Sequence, residues 1–80
     1  MDDADLEARI NRLVEEEHEL EHRHGTDGLN EQELHRLRRL EISLDQTWDL
    51  LRQRRARRHA GLDPDGVGLR DPSTVEGYQQ

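Results

Sequence analysis

Apolar side chains recurring at steps of three and four residues govern what this sequence can fold into. Leu34, Leu37, Leu44, Trp48 and Leu51, with Leu40 beside them, make one stripe that runs for roughly five helical turns before Arg55 interrupts it. An earlier stripe holds Leu6, Ile10, Leu13, Val14 and Leu20, with Glu17 in the same band. Two amphipathic helices are expected, at about residues 3–24 and 31–59, and the fold class is all-α.

The segment boundaries carry their own chemistry. Gly25-Thr-Asp-Gly28 is expected to end the first helix, because glycine tolerates the left-handed conformation of helix termini. Asn30 and Glu33 are spaced as a capping box, with Leu29 and Leu34 placed as a hydrophobic staple. Gly61 supplies the stop of the second helix and Pro64 follows it. A connection of about five residues implies an antiparallel helical hairpin within residues 1–60. With His24 opposite Asn30, Leu13 falls by Glu41, Ile10 by Leu44 and Leu6 by Trp48, so Trp48 is expected in the seam. On that register Asp2 and Asp3 reach only to Arg52, and residues 54–58 overhang the first helix. Ile42 and Leu50 point elsewhere and would be exposed in a lone hairpin. Residues 61–80 contain Asp63-Pro-Asp-Gly66 and Asp71-Pro72 turns and little apolar material; an irregular tail is expected, with Val75 and Tyr78 as the groups able to anchor it.

Composition limits how well such a hairpin stands alone. Of 80 residues, 30% are hydrophobic, 39% are charged, and phenylalanine and cysteine are absent, so the core is thin and neither disulfides nor thiolate metal sites reinforce it. The hairpin is therefore expected to pair with a second copy into a helical bundle. The acidic N-terminal stretch Met1-Asp-Asp-Ala-Asp-Leu6 is unlike a signal peptide, and no apolar run is long enough for a membrane span; a cytoplasmic protein without a membrane partner is expected. All twelve basic residues are arginine, which points to GC-rich codons. Charge is also segregated: residues 1–33 hold twelve acidic and three basic side chains, residues 34–60 hold three and eight, and residues 61–80 hold four and one. Complementary blocks of this kind pair with each other within one small domain.

The stretches LVEEEHEL, LRRLEISLDQTWDLLRQRRARR and VEGY resemble the DUF2630 family of short actinobacterial proteins. Glu16, Glu17, His18, Leu44, Asp45, Gln46, Trp48, Asp49, Leu50, Leu51, Arg52, Gln53, Arg54, Arg55, Ala56, Val75, Glu76, Gly77 and Tyr78 carry the resemblance, which spans nearly the whole chain. It implies a bacterial, cytoplasmic protein and names no activity.

Three constellations bear on chemistry. His18-Glu-Leu-Glu-His22 spells the zinc-peptidase pattern, yet both histidines lie well off the apolar stripe and face water, where no cleft forms. Glu15/His18, Glu19/His22 and Glu21/His24 repeat the Glu-x-x-His spacing of di-iron bundles, but the inward carboxylates are Glu17 and Glu41, neither followed by a histidine three residues on. Glu17 is expected to pair with an arginine such as Arg38. Arg52, Arg54, Arg55, Arg57 and Arg58 form the candidate partner-binding site, since arginine recognises carboxylates and phosphates bidentately. A net charge of −7 disfavours nucleic acid, so the expected partner of these arginines is an acidic protein, while Asp2, Asp3 and Asp5 compete for them. No serine or threonine has an activating base, so no enzyme, cofactor or metal centre is expected. The expected function is a small non-catalytic interaction or regulatory module using the arginine-rich end of the second helix. A nucleic-acid-associated protein and a metal-binding bundle are the alternatives.

Overall fold

The computed structural model describes residues 2–24 and 28–78, with side chains at all of these except 23, 24 and 76–78. Helix α1 (Asp3–His24) opens on a reciprocal pair, the Asp5 N–H donating to the Asp2 carboxylate at 2.8 Å and the Asp2 N–H donating to the Asp5 carboxylate at 3.1 Å. Helix α2 (Glu31–His59) opens on the expected capping box: the Glu33 N–H donates to the Asn30 side chain at 2.9 Å, and the Asn30 N–H donates to the Glu33 carboxylate at 3.1 Å. Both boxes satisfy N–H groups that a helix start leaves orphaned. Gly61 ends α2 as expected, with φ at +74°. The Gly61 N–H donates to the Arg58 carbonyl at 3.0 Å and the Leu62 N–H to the Arg57 carbonyl at 2.8 Å, the two-bond termination that a left-handed residue permits. Of the expected glycine turn Gly25-Thr-Asp-Gly28 after α1, residues 25–27 lie outside the described residues.

The two helices pack along each other, and the core lies toward the open end of the hairpin. Leu6, Ile10, Leu44, Leu50 and Leu51 form it, with Leu13, Val14 and Val67 packed against them. Burying a leucine side chain of this kind stabilises the fold by about 1.5–3 kcal/mol. Nearer the loop, Leu20, Leu29 and Leu40 are buried as well.

Trp48 is a correction to the sequence reading. It is 41% exposed, while Leu44 and Leu51 occupy the seam with Leu40. At about 100° per residue these three leucines share an arc that Trp48 flanks, and the tightest groove between two helices suits leucine better than an indole. Leu34 is likewise exposed.

The C-terminal segment is a second correction. It is not irregular: a 3-10 turn (Pro64–Gly66) and helix α3 (Pro72–Tyr78) both pack on α2. Asp71 caps α3, accepting from the Ser73 N–H at 2.9 Å and from its hydroxyl at 2.6 Å, and Pro72 takes the first helical position. This segment covers the side of α2 away from α1, so Leu50, expected to be exposed, is buried, and Ile42 is half-buried. Val75 anchors α3 as expected and is fully buried; the Tyr78 side chain lies outside the described ones.

The molecule measures 48 × 24 × 18 Å, its length close to the roughly 43 Å of a 29-residue helix. A radius of gyration of 14.7 Å exceeds the roughly 12 Å of a compact domain this size. One flank of α2 is left uncovered, with Leu34, Glu41, Trp48, Arg52 and Arg55 exposed along it.

Candidate interaction surface on the second helix

The open end of the hairpin gathers charges from three segments. Arg54 sits at the centre, its side chain only 8% exposed. Its Nε donates to Asp3 Oδ1 at 2.8 Å, and its Nη1 donates to Asp65 Oδ1 at 2.7 Å and to the Pro64 carbonyl at 3.3 Å. Arg58 donates to the other oxygen of Asp3. The Arg54 and Arg58 guanidinium groups hold the Asp3 carboxyl below its ordinary range, and Arg54 does the same to Asp65. Arg57 donates through Nε to the Asp63 carbonyl and lies over Gly66, whose missing side chain leaves room for it.

The expected register, in which Asp3 stops short of residues 54–58, is corrected by these contacts. Helical side chains lean toward their own N-terminus, and in an antiparallel pair the two leans point at each other. Asp3 therefore tilts toward the overhang while Arg54 and Arg58 tilt back to meet it. Acidic α1 and basic α2 pair as the charge blocks implied, with Glu7–Arg55 at 3.3 Å and Glu16–Arg36 at 3.8 Å as exposed additions.

The five arginines of the sequence reading thus divide. Arg54 and Arg57 turn inward onto the N-terminus and the C-terminal segment. Arg58 is half-exposed and joined to Asp3. Arg55 is exposed and holds only the exposed Glu7, a pairing worth about 0–1 kcal/mol. Arg52 is exposed and makes no ion pair among the described residues. Trp48 lies four residues before Arg52 and seven before Arg55, on the uncovered flank.

A further ion pair goes beyond the sequence reading. Asp49 is 1% exposed inside α2, and Arg70 reaches it bidentately, Nη2 to Oδ1 at 2.6 Å and Nε to Oδ2 at 3.0 Å. Gln53 adds a bond to Asp49 at 2.8 Å, and Gln46 donates to the Arg70 carbonyl at 3.1 Å. Arg70 lowers the Asp49 pKa against the opposing effect of burial. The sequence held one clue: Arg70 is the only basic residue after position 60.

The metal candidates stay dispersed. His18, Glu19, Glu21 and His22 are all exposed, with Leu20 between them turned into the core. Among the described residues no three metal-ligating side chains converge. Glu17 is half-buried, and the expected pair with Arg38 is not formed. Burial, then the carboxylates of Glu21 and Glu41, push the Glu17 pKa up.

A family profile described as a protein of unknown function, DUF2630, matches residues 2–80. Uncharacterised proteins of Mycobacterium bovis and Mycobacterium tuberculosis are 51% identical to this chain over 79 residues, covering 95% of it and 88% of their own length. No solved structure matches it significantly. Among the described residues no helix is long and apolar enough to cross a membrane.

Proposed function

This chain belongs to the DUF2630 family, and from that premise we propose that it is a non-catalytic protein-interaction module of the cytoplasm. Its binding surface is the uncovered flank of α2, where Trp48, Arg52 and Arg55 stand together, and its partner presents carboxylates. The observation that carries this reading is Trp48, the single tryptophan, which is 41% exposed beside Arg52, which makes no ion pair among the described residues, and Arg55, whose one pairing is solvent-exposed. Tryptophan and arginine dominate the energetic centres of protein interfaces, because an indole buries a large apolar area and a guanidinium fixes a carboxylate bidentately. Arg54 and Arg57 serve the fold, so the interaction reading passes from five arginines to Arg52 and Arg55, with Arg58 at the margin. A nucleic-acid partner gains little from the two available arginines of this flank on a chain of net charge −7.

Affinity purification from an actinobacterial extract tests this, with the native chain beside the Trp48→Ala variant and the Arg52→Gln/Arg55→Gln double variant. A protein partner retained by the native chain and lost from both variants is the expected result. Identical partners from all three chains would contradict it.

A further inference from the structure

The uncovered flank of α2 has an internal order that says what fits it. Leu34, Leu37, Glu41, Asp45, Trp48, Arg52 and Arg55 follow one another at steps of three or four residues and fall within about 80° of arc. Trp48 is the centre of this series. Glu41 stands seven residues before it and Arg55 seven after, each about 10 Å along the axis; Asp45 stands three before and Arg52 four after. Acids thus occupy one side of the tryptophan and bases the other, with Glu41 and Arg55 at equal distances from it.

We infer that this flank receives the same flank of a second copy of the chain, packed antiparallel about a two-fold axis at Trp48. The inference rests on the interaction reading above and names its carboxylate as Glu41 of the second copy. Under that symmetry Glu41 faces Arg55 of the other copy, twice over, around paired indoles. A parallel arrangement instead sets Glu41 beside Glu41 and Arg55 beside Arg55, so charge selects the antiparallel one. Within its own chain Glu41 is exposed, makes no ion pair among the described residues and adds to the acidity around Glu17. Arg52 makes no ion pair either, and Arg55 has only a solvent-exposed one to exchange. Two of the other exposed apolar residues, Leu34 near the start of α2 and Leu62 just past its end, lie at the two ends that an antiparallel pair brings together; the third, Leu69, lies in the C-terminal segment.

Sedimentation equilibrium of the full chain, alone and as charge variants, tests the assignment. The native chain dimerises; Glu41→Arg and Arg55→Glu, both exposed positions, each weaken the dimer about tenfold or more by placing like charges across the axis. An equimolar mixture of the two variants regains native affinity, because each supplies the charge the other lacks, and mixing does not cure a folding defect. A native chain that stays monomeric to about millimolar concentration overturns the inference, as does a dimer indifferent to both reversals or a mixture that fails to recover. A monomeric native chain that captures an acidic protein through Arg52 and Arg55 overturns the second-copy assignment and leaves the interaction reading standing. If neither self-association nor capture depends on those arginines, both fall.

Discussion

Arg54 and Arg52 are two residues apart on one helix and have opposite fates. Arg54 is buried and joins Asp3, Pro64 and Asp65, so it links α1, α2 and the C-terminal segment. Arg54→Gln leaves Asp3 and Asp65 without their main counter-charge and should lower the melting temperature by several degrees, whereas Arg52→Gln should change stability by less than about 0.5 kcal/mol. Thermal melts followed by circular dichroism separate the two; equal losses would mean that Arg54 is solvated like its neighbour. Glu17 carries the reverse sign. Burial and nearby carboxylates raise its pKa, so its charge opposes folding at neutral pH. Glu17→Gln should therefore raise stability at pH 7, by less than about 1 kcal/mol given its exposure to solvent screening. A lower melting temperature would show that Glu17 has a cation partner.

At the scale of elements, α1 and α2 were legible because their starts, stops and apolar period are local properties. The Asn30–Glu33 box, the Gly61 stop and the helix spans 3–24 and 31–59 all follow from residues within a few positions of one another. The C-terminal segment was not legible, because what holds it is distant in sequence. Asp49 and Arg70 are twenty-one residues apart, and Leu50 looked exposed until Val67 and α3 covered that side of α2. One local signal was present, Asp71 followed by Pro72, which is a helix cap and first position as much as it is a turn. Trp48 was misplaced for a related reason: periodicity identifies a broad stripe but does not choose which of its residues meets the groove. The same applies to the arginines, where spacing gave the overhang and side-chain lean determined which of them it kept inside. Arg70→Ala leaves the buried Asp49 carboxylate with Gln53 as its remaining hydrogen-bond donor and should cost about 2 kcal/mol. Urea unfolding measures it; a loss below about 0.5 kcal/mol would mean that α3 docks through Val75 alone.

The whole molecule is a rod whose stability should respond to acid in two steps. Asp3, Asp49, Asp65 and Asp71 all have pKa values below the ordinary 3.8, the first three through Arg54 or Arg70 and the last through Ser73. Depressed carboxyl groups stabilise the fold fully above their unfolded value and lose that contribution as pH falls through the lower folded one. Glu17, raised above 4.5, contributes only as pH falls to that region. The melting temperature should rise slightly as pH falls from 7 toward about 4.5 and drop steeply below about pH 3.8. A steady fall from neutrality would contradict this balance. The central claim is that Trp48 belongs to a binding surface and not to the core. Because it is the only tryptophan, fluorescence against protein concentration reports on it alone. At the lowest concentrations its emission should be red-shifted and readily quenched by acrylamide, then shift blue and become protected as the concentration rises, while the helical circular dichroism stays constant. Emission that is already blue and protected in the dilute monomer would place Trp48 in the seam and contradict the account.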